Sequence, residues 1–319
     1  MIGRLIRSGK SRLRLLRETD WEFFFAYCFI HLKYGKKAAH CPSLKHAKLA
    51  FMERRFAHLL TQYRDMKFSP KSNGGPIWVC WLQGEKAMPA VVRMCYERLK
   101  TMSPPGRELV LLHQGNLADY VQIPEHILQK VEQGVITRTH FSDIIRFALL
   151  AEHGGLWVDS TVYASSPIPE SVFSQAYYSA RPDNYAEYIG VNRCLWKCFL
   201  IGGAAHSPWF SCARDIVYEY WSNMNFLLDY LLVDYILLSI YDCNGIVKSG
   251  VDAGVEYAPY ISEFEKWANE PFDSEKMDEM CQTSRWFKLS YKLPFREKTE
   301  DGQMTNYGSL VASSRGEQS

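Results

Sequence analysis

The chain has 319 residues, 47% of them hydrophobic, enough to bury the core of one large domain or two small ones and too apolar for a disordered chain. Its formal net charge of +2 conceals two opposite parts: residues 1–71 carry 16 Lys and Arg against 5 Asp and Glu, and the remainder carries 21 against 30. No nucleic-acid module accompanies the basic part, so nucleic acid is not an expected partner. The longest apolar run, WEFFFAYCFIHL, has 12 residues including Glu22, short of the roughly 18 to 20 that a membrane-crossing helix needs. Nine scattered cysteines form no CxxC pair and no cleavable leader is legible, so a cytoplasmic, reducing setting is expected.

The first 17 residues hold six cations and no acid, interleaved with Ile2, Leu5, Ile6, Leu13, Leu15 and Leu16. With the aromatic residues 21–29, this suits an amphipathic segment lying on an anionic membrane surface through residues 1–32, peripheral on its inner face. Two plainer readings stand beside it: a solvated helix, and an arm packed on the rest of the chain. Residues 44–68 read as a further basic helix, with Leu49, Met52, Phe56, Leu59 and Leu60 on one face. Residues 1–72 are therefore expected to be a basic helical N-terminal extension. The loop SPKSNGGP opens a second domain, 73–303, and residues 304–319 read as a polar, flexible tail.

In that second domain PIWVCWLQG reads as a strand, MPAVVRMCYERLKTMSPPG as a helix closed by Pro-Pro-Gly, and RELVLLHQGN as a second strand. This order begins a parallel α/β sheet, whose ligands bind beyond the carboxyl ends of the strands, near Gln83, Gly84 and Asn116. Residues 141–163 then read FSDIIRFALLAEHGGLWVDSTVY. Ser142 is a suitable N-cap, and Ile144, Ile145, Ala148 and Leu149 recur at helical spacing until Gly154 and Gly155 stop the helix. Leu156 and Val158 alternate with Trp157 and Asp159 as in a short strand, which delivers a carboxylate to a strand end. Further on, residues 210–242 read as helical and the region from Asp252 as acidic and loop-rich.

Asp143, Arg146, Leu150, Gly154, Gly155, Trp157 and Asp159 fall where sugar-transferases with a DXD motif carry their signature D..R...L...GG.Y.D.D, and the ending WVDST resembles their capsular polysaccharide synthesis branch. The resemblance runs from about Pro76 to Tyr291. It implies a GT-A-like (Rossmann-like) α/β fold, a mixed, mainly parallel sheet flanked by helices. It also implies a retaining glycosyltransferase moving a hexose from a nucleotide-sugar, such as UDP-galactose or UDP-glucose, to a growing lipid-linked oligosaccharide.

In such an enzyme negative charge builds on the departing diphosphate, and a divalent cation or protein cations stabilise it. Manganese or magnesium is the expected cofactor, with Asp159 its ligand, but Thr161, expected on the same strand face as Asp159, stands where many relatives have a second aspartate and offers only a neutral hydroxyl. The resemblance assigns Asp159, Asp143 and Arg146 to the catalytic centre, Asp143 and Arg146 as contacts to the donor sugar. It extends the donor site to Trp81, Gln83, Thr161, Lys288 and Lys292, with Trp81 and Gln83 open also to a reading as plain strand residues and the lysines as surface residues. Asp183, Asn184, Asn192 and Asp234 are the acceptor-side candidates, Asp234 alternatively a helix residue facing solvent. His153 reads as a helix-end residue. Thr161 also keeps open a non-catalytic carbohydrate-binding or scaffolding protein with a degenerate metal site.

Overall fold

The computed structural model describes residues 9–69, 75–182 and 190–316. The chain forms two compact units, both discontinuous: residues 1–68, 123–148 and 208–248 make one, and residues 69–122, 149–207 and 249–319 the other. This differs from the expected break at residues 72/73, because later helices join the basic N-terminal ones. Tyr63 donates its hydroxyl hydrogen to Asp215, Asn244 Nδ2 donates to the Tyr63 carbonyl at 2.9 Å, and Lys48 pairs with Asp229. These partners lie more than 150 positions apart, so no local pattern announces them.

The first unit is helical. Helix Trp21–Tyr34 is capped by Asp20, whose Oδ1 accepts the Phe23 N–H at 2.7 Å, and Arg54 holds the same carboxylate through Nε and Nη2. Phe23, Tyr27 and Ile30 form its buried face, with the Phe23 ring 5.1 Å from Phe51. The expected helix at 44–68 is two helices, Pro42–Arg55 and Ala57–Arg64, and the helical region at 210–242 resolves into Pro208–Asn223 and Leu232–Cys243. Helix Arg138–Glu152, which belongs to this unit as far as Ala148, starts a turn before the expected Ser142. Thr137 is the reason: its Oγ1 accepts the His140 N–H at 3.2 Å, which leaves Ser142 inside the helix. Among the described residues no helix is long and apolar enough to cross a membrane.

The second unit carries the mixed, mainly parallel sheet of the expected class. Its strands are β1 (Ile77–Cys80), β2 (Leu109–Leu112), β3 (Gly155–Val158), β5 (Tyr177–Arg181), β6 (Leu200–Gly203) and β7 (Val255–Tyr257), in the order β2-β1-β3-β6-β5-β7. Only β6 runs antiparallel to its neighbours β3 and β5. A separate ribbon pairs β4 (Val162–Ala164) with β8 (Trp286–Lys288), Val162 opposite Lys288. Helix Ala90–Met102 places Val92, Tyr96 and Leu99 in one apolar cluster with Ile77, Leu156 and Val158, and Val91, Met94 and Cys95 in a second with Tyr163, Phe287 and Leu310.

Two further details differ from the sequence reading. Residues 306–315, expected within a flexible tail, form a helix capped by Thr305, and Tyr307, Leu310 and Val311 are buried in the second cluster. Their spacing of three and one is helical, and it outweighs the serines around them. The turn after the central helix holds Gly154 and Gly155 at φ of 65° and 92°. A Cβ on Gly155 would meet the Pro76 carbonyl oxygen at 2.2 Å, so side chains are excluded there by backbone conformation and by space together.

Candidate functional site

The carboxyl end of β3 leads straight into a turn in which the Val162 N–H donates to the Asp159 carbonyl at 2.9 Å. Asp159 is the first residue of this turn and Thr161 its third, so the two do not share a strand face as expected. Their side chains nevertheless meet at one point, because the turn feeds β4, and β8 beside it carries Lys288. Lys288 Nζ donates to Asp159 Oδ2 at 3.1 Å and to Thr161 Oγ1 at 2.6 Å, and lies 5.1 Å from the centre of the Phe199 ring. The other carboxylate oxygen, Asp159 Oδ1, accepts the indole N–H of Trp157 at 2.8 Å. Backbone bonds fix the parts: Asp159 N–H to Phe199, Leu289 N–H to Thr161 and Lys288 N–H to Ile261. The side chains of Asp159 and Lys288 are 28% and 27% exposed, so the pair is held in place yet open to a ligand. Nearby, burial raises the Glu265 carboxyl above the usual range while Lys288 pulls it back down.

At the end of β1, Trp81 is half-buried, its indole N–H donating to the Ala87 carbonyl at 3.2 Å. The Tyr291 ring meets it edge-on at 5.5 Å, and Lys292 Nζ lies 5.9 Å from the Tyr291 ring. The segment after β8 thus brings an aromatic ring against Trp81, a pairing that about 210 intervening residues conceal in the sequence. Gln83 is exposed and lines an open cleft of about 540 Å³ with Lys86, Tyr96 and His113. The lining of that cleft does not include Trp81, Asp159 or Lys288.

The other expected pair lies in the helical unit. Arg146 Nη1 donates to Asp143 Oδ1 at 2.7 Å, and both Arg146 and His140 are buried. Trp221 donates its indole N–H to His140 Nε2 at 3.0 Å, which leaves the imidazole proton on Nδ1, 3.4 Å from Asp143 Oδ2. Asp143 is therefore held from both sides by groups buried beneath it, unlike an exposed intrahelical ion pair. Sequence reasoning missed His140 and Trp221. His140, three residues before Asp143, lies on the same helix face and was legible by that spacing; Trp221 gives no local signal.

The remaining candidates fare differently. Asp183 and Asn184 lie outside the described residues. Asn192 uses its amide in a local turn, Oδ1 accepting from the Cys194 N–H and Nδ2 donating to the Trp196 carbonyl, where Arg193 and Cys194 have φ of 50° and 57°. Asp234 is buried in the first turn of helix Leu232–Cys243, which removes the solvent-facing alternative. His153 is a helix-end residue as expected, its Nε2 2.7 Å from the Tyr120 carbonyl oxygen.

The donor set does not fit a protein-held divalent cation. Among the described residues no three His, Cys, Asp or Glu side chains come together as ligands. Magnesium takes near-octahedral oxygen ligands at about 2.0–2.1 Å and needs at least one protein carboxylate free to join waters and substrate phosphates; here one Asp159 oxygen is taken by an ammonium and the other by an indole N–H.

Comparison with known proteins gives a family and distant solved structures. The family model described as "Capsular polysaccharide synthesis protein" matches residues 31–308. No curated protein matches the chain. The solved structure of PaToxG glycosyltransferase is similar over 76% of this chain and 95% of its own, at 12% identity and a TM-score of 0.37.

Proposed function

The chain belongs to the capsular polysaccharide synthesis protein family, and from that premise we propose a glycosyltransferase that moves a hexose from a nucleotide-sugar to a growing lipid-linked oligosaccharide. The observation that carries the reading is the cluster at the end of β3, where Asp159, Thr161 and Lys288 converge directly after the Gly154–Gly155 turn. A carboxylate, a hydroxyl and an ammonium at the carboxyl end of a central strand suit the diphosphate and sugar hydroxyls of a donor. In this reading Trp81 and Tyr291 offer aromatic faces to a base, and Gln83 and Lys292 reach its ribose and phosphates. The acceptor hydroxyl attacks the anomeric carbon on the face from which the diphosphate leaves. The bond from that carbon to the phosphate oxygen breaks, the leaving phosphate takes the hydroxyl proton, and configuration is retained.

A panel of UDP- and GDP-sugars tests this, with free nucleoside diphosphate measured in the presence and absence of lipid extract. Release from one donor supports the proposal. Oligosaccharide binding without release from any donor, extract included, overturns it in favour of a carbohydrate-binding relative.

A membrane surface is the proposed setting, the cytoplasmic face of a bilayer. Helix Trp21–Tyr34 exposes Trp21 (64%), Phe25 (61%), Phe29 (64%) and Leu32 (87%), spaced by four, four and three residues and so on one face. Exposed Arg14, Arg17, Lys33, Lys36 and Lys37 flank them, within a segment whose cations outnumber its acids by 11. Aromatic rings bordered by cations fit the interface of an anionic bilayer, which also holds a lipid-linked acceptor. Removing residues 1–32 is a poor test, since Phe23, Tyr27 and Ile30 are core residues. The triple replacement Phe25→Ser, Phe29→Ser, Leu32→Ser is expected to weaken flotation with phosphatidylglycerol vesicles at least about tenfold. Unchanged flotation, or a concentration-dependent dimer abolished by the same changes, overturns the membrane assignment.

A further inference from the structure

We propose that Lys288 replaces the divalent cation of this site: its ammonium, seated between Asp159 and Thr161, takes the donor diphosphate directly, so the chain binds a nucleoside diphosphate without metal. The inference deepens the donor reading above and rests on it.

Three observations lead here. The first is position. Lys288 is not a surface lysine that happens to reach an acid: β8 is hydrogen-bonded to β4 opposite Val162, and Leu289 N–H donates to the Thr161 carbonyl at 2.8 Å. The backbone that carries the ammonium is thus tied to the backbone that carries its acceptors. The Phe199 ring lies 5.1 Å from Nζ, a contact that further favours a cation at that point.

The second is donor count. An ammonium has three N–H donors. Among the described residues Asp159 Oδ2 and Thr161 Oγ1 accept from it, which leaves one donor for a phosphate oxygen. A lysine binds phosphate as a point charge and needs no further geometry.

The third is exclusion. A metal ion on Asp159 Oδ2 would have to displace Lys288 or sit close to a like charge, in a corner only partly open to water. Thr161 then has a reason: where a second aspartate would serve a metal, a neutral hydroxyl accepts from the ammonium without cancelling a second charge. Asp159 and Lys288 together are neutral, so the segment's second cation, exposed Lys292, supplies the remaining positive charge for the diphosphate.

Calorimetric titration with UDP and with GDP, in excess EDTA and in millimolar manganese, tests this on the intact chain, with uridine and guanosine as phosphate-free controls. The native chain is expected to bind one nucleoside diphosphate with the same affinity, within about threefold, in both conditions. Lys288→Met keeps the stem on Phe199 and removes the charge. It is expected to weaken diphosphate binding about tenfold to a hundredfold in EDTA, the size of one charge-assisted hydrogen bond, with nucleoside binding unchanged. Manganese is expected to restore part of the loss, because Asp159 is then released. A tenfold or greater gain for the native chain on adding manganese overturns the proposal without any variant, as does native-like binding by Lys288→Met in EDTA. Absence of all nucleotide binding in either condition would instead overturn the nucleotide-sugar reading itself.

Discussion

Asp159→Asn is expected to lower nucleoside diphosphate release from the preferred donor about a hundredfold or more, while the melting temperature moves by no more than about 3 °C. Asparagine keeps the shape and can still accept the Trp157 indole N–H through its oxygen, now observed at 2.8 Å from Asp159 Oδ1. Its amide nitrogen then faces the Lys288 ammonium, donor against donor, and the charge that orients Lys288 is gone. The loss acts through Lys288, whose ammonium is no longer held in place for the departing anion, and losing one such preorganised contact typically costs about 10²–10³ in rate. Stability should change little, because the pair is more than a quarter exposed and such pairs contribute roughly 0–1 kcal/mol. Thr161→Val makes the graded comparison: one neutral acceptor is lost, the carboxylate stays, and a fall of only about tenfold follows. Donor turnover monitored beside thermal melting separates the effects. An Asn variant with native turnover would reduce Asp159 to a turn residue and remove the ground for the transferase reading.

How much of this was legible beforehand follows from distance along the chain. The run from Asp143 to Asp159 was readable because its signals are local: helical spacing, two glycines at a turn and a strand that ends on a carboxylate. Even there the helix start was displaced by a turn, since Thr137 lies outside the signature and competes with Ser142 for the same capping role. The expectation that Asp159 and Thr161 share a strand face failed because the strand ends at Val158 and a turn takes over. Lys288 lies 129 residues from Asp159, and only family resemblance, with no pattern in the chain, drew attention to it. The division into units was hidden for the same reason: ties such as Tyr63 to Asp215 and Lys48 to Asp229 are tertiary facts. The C-terminal helix is a different case. Tyr307, Leu310 and Val311 already show a buried stripe, but a serine-rich context masks it.

Gly155→Ala is expected to destabilise the sheet unit by about 4 kcal/mol, within the range reserved for a named steric or backbone defect. Two penalties combine. A non-glycine residue at φ of 92° is strained by roughly 1–3 kcal/mol. The new Cβ would also lie 2.2 Å from the Pro76 carbonyl oxygen, which accepts the Leu156 N–H at 3.0 Å and so belongs to the junction of β1 with β3. Relief requires the two central strands to part where Ile77 pairs with Leu156, inside the larger apolar cluster of the unit. Gly106→Ala isolates the first penalty, because Gly106 has φ of 78° and nothing lies within 4 Å of where its Cβ would sit. It should cost only about 1 kcal/mol. For a unit of this size each kcal/mol shifts the midpoint by about 2–4 °C, so the two variants should melt about 6–12 °C apart. Because β3 leads directly into the turn that carries Asp159, donor turnover in Gly155→Ala should fall as well, at temperatures where the variant is still folded. Equal melting of the two variants would mean that Pro76 does not approach Gly155 this closely, and that Asp159 is not anchored through the β1–β3 junction.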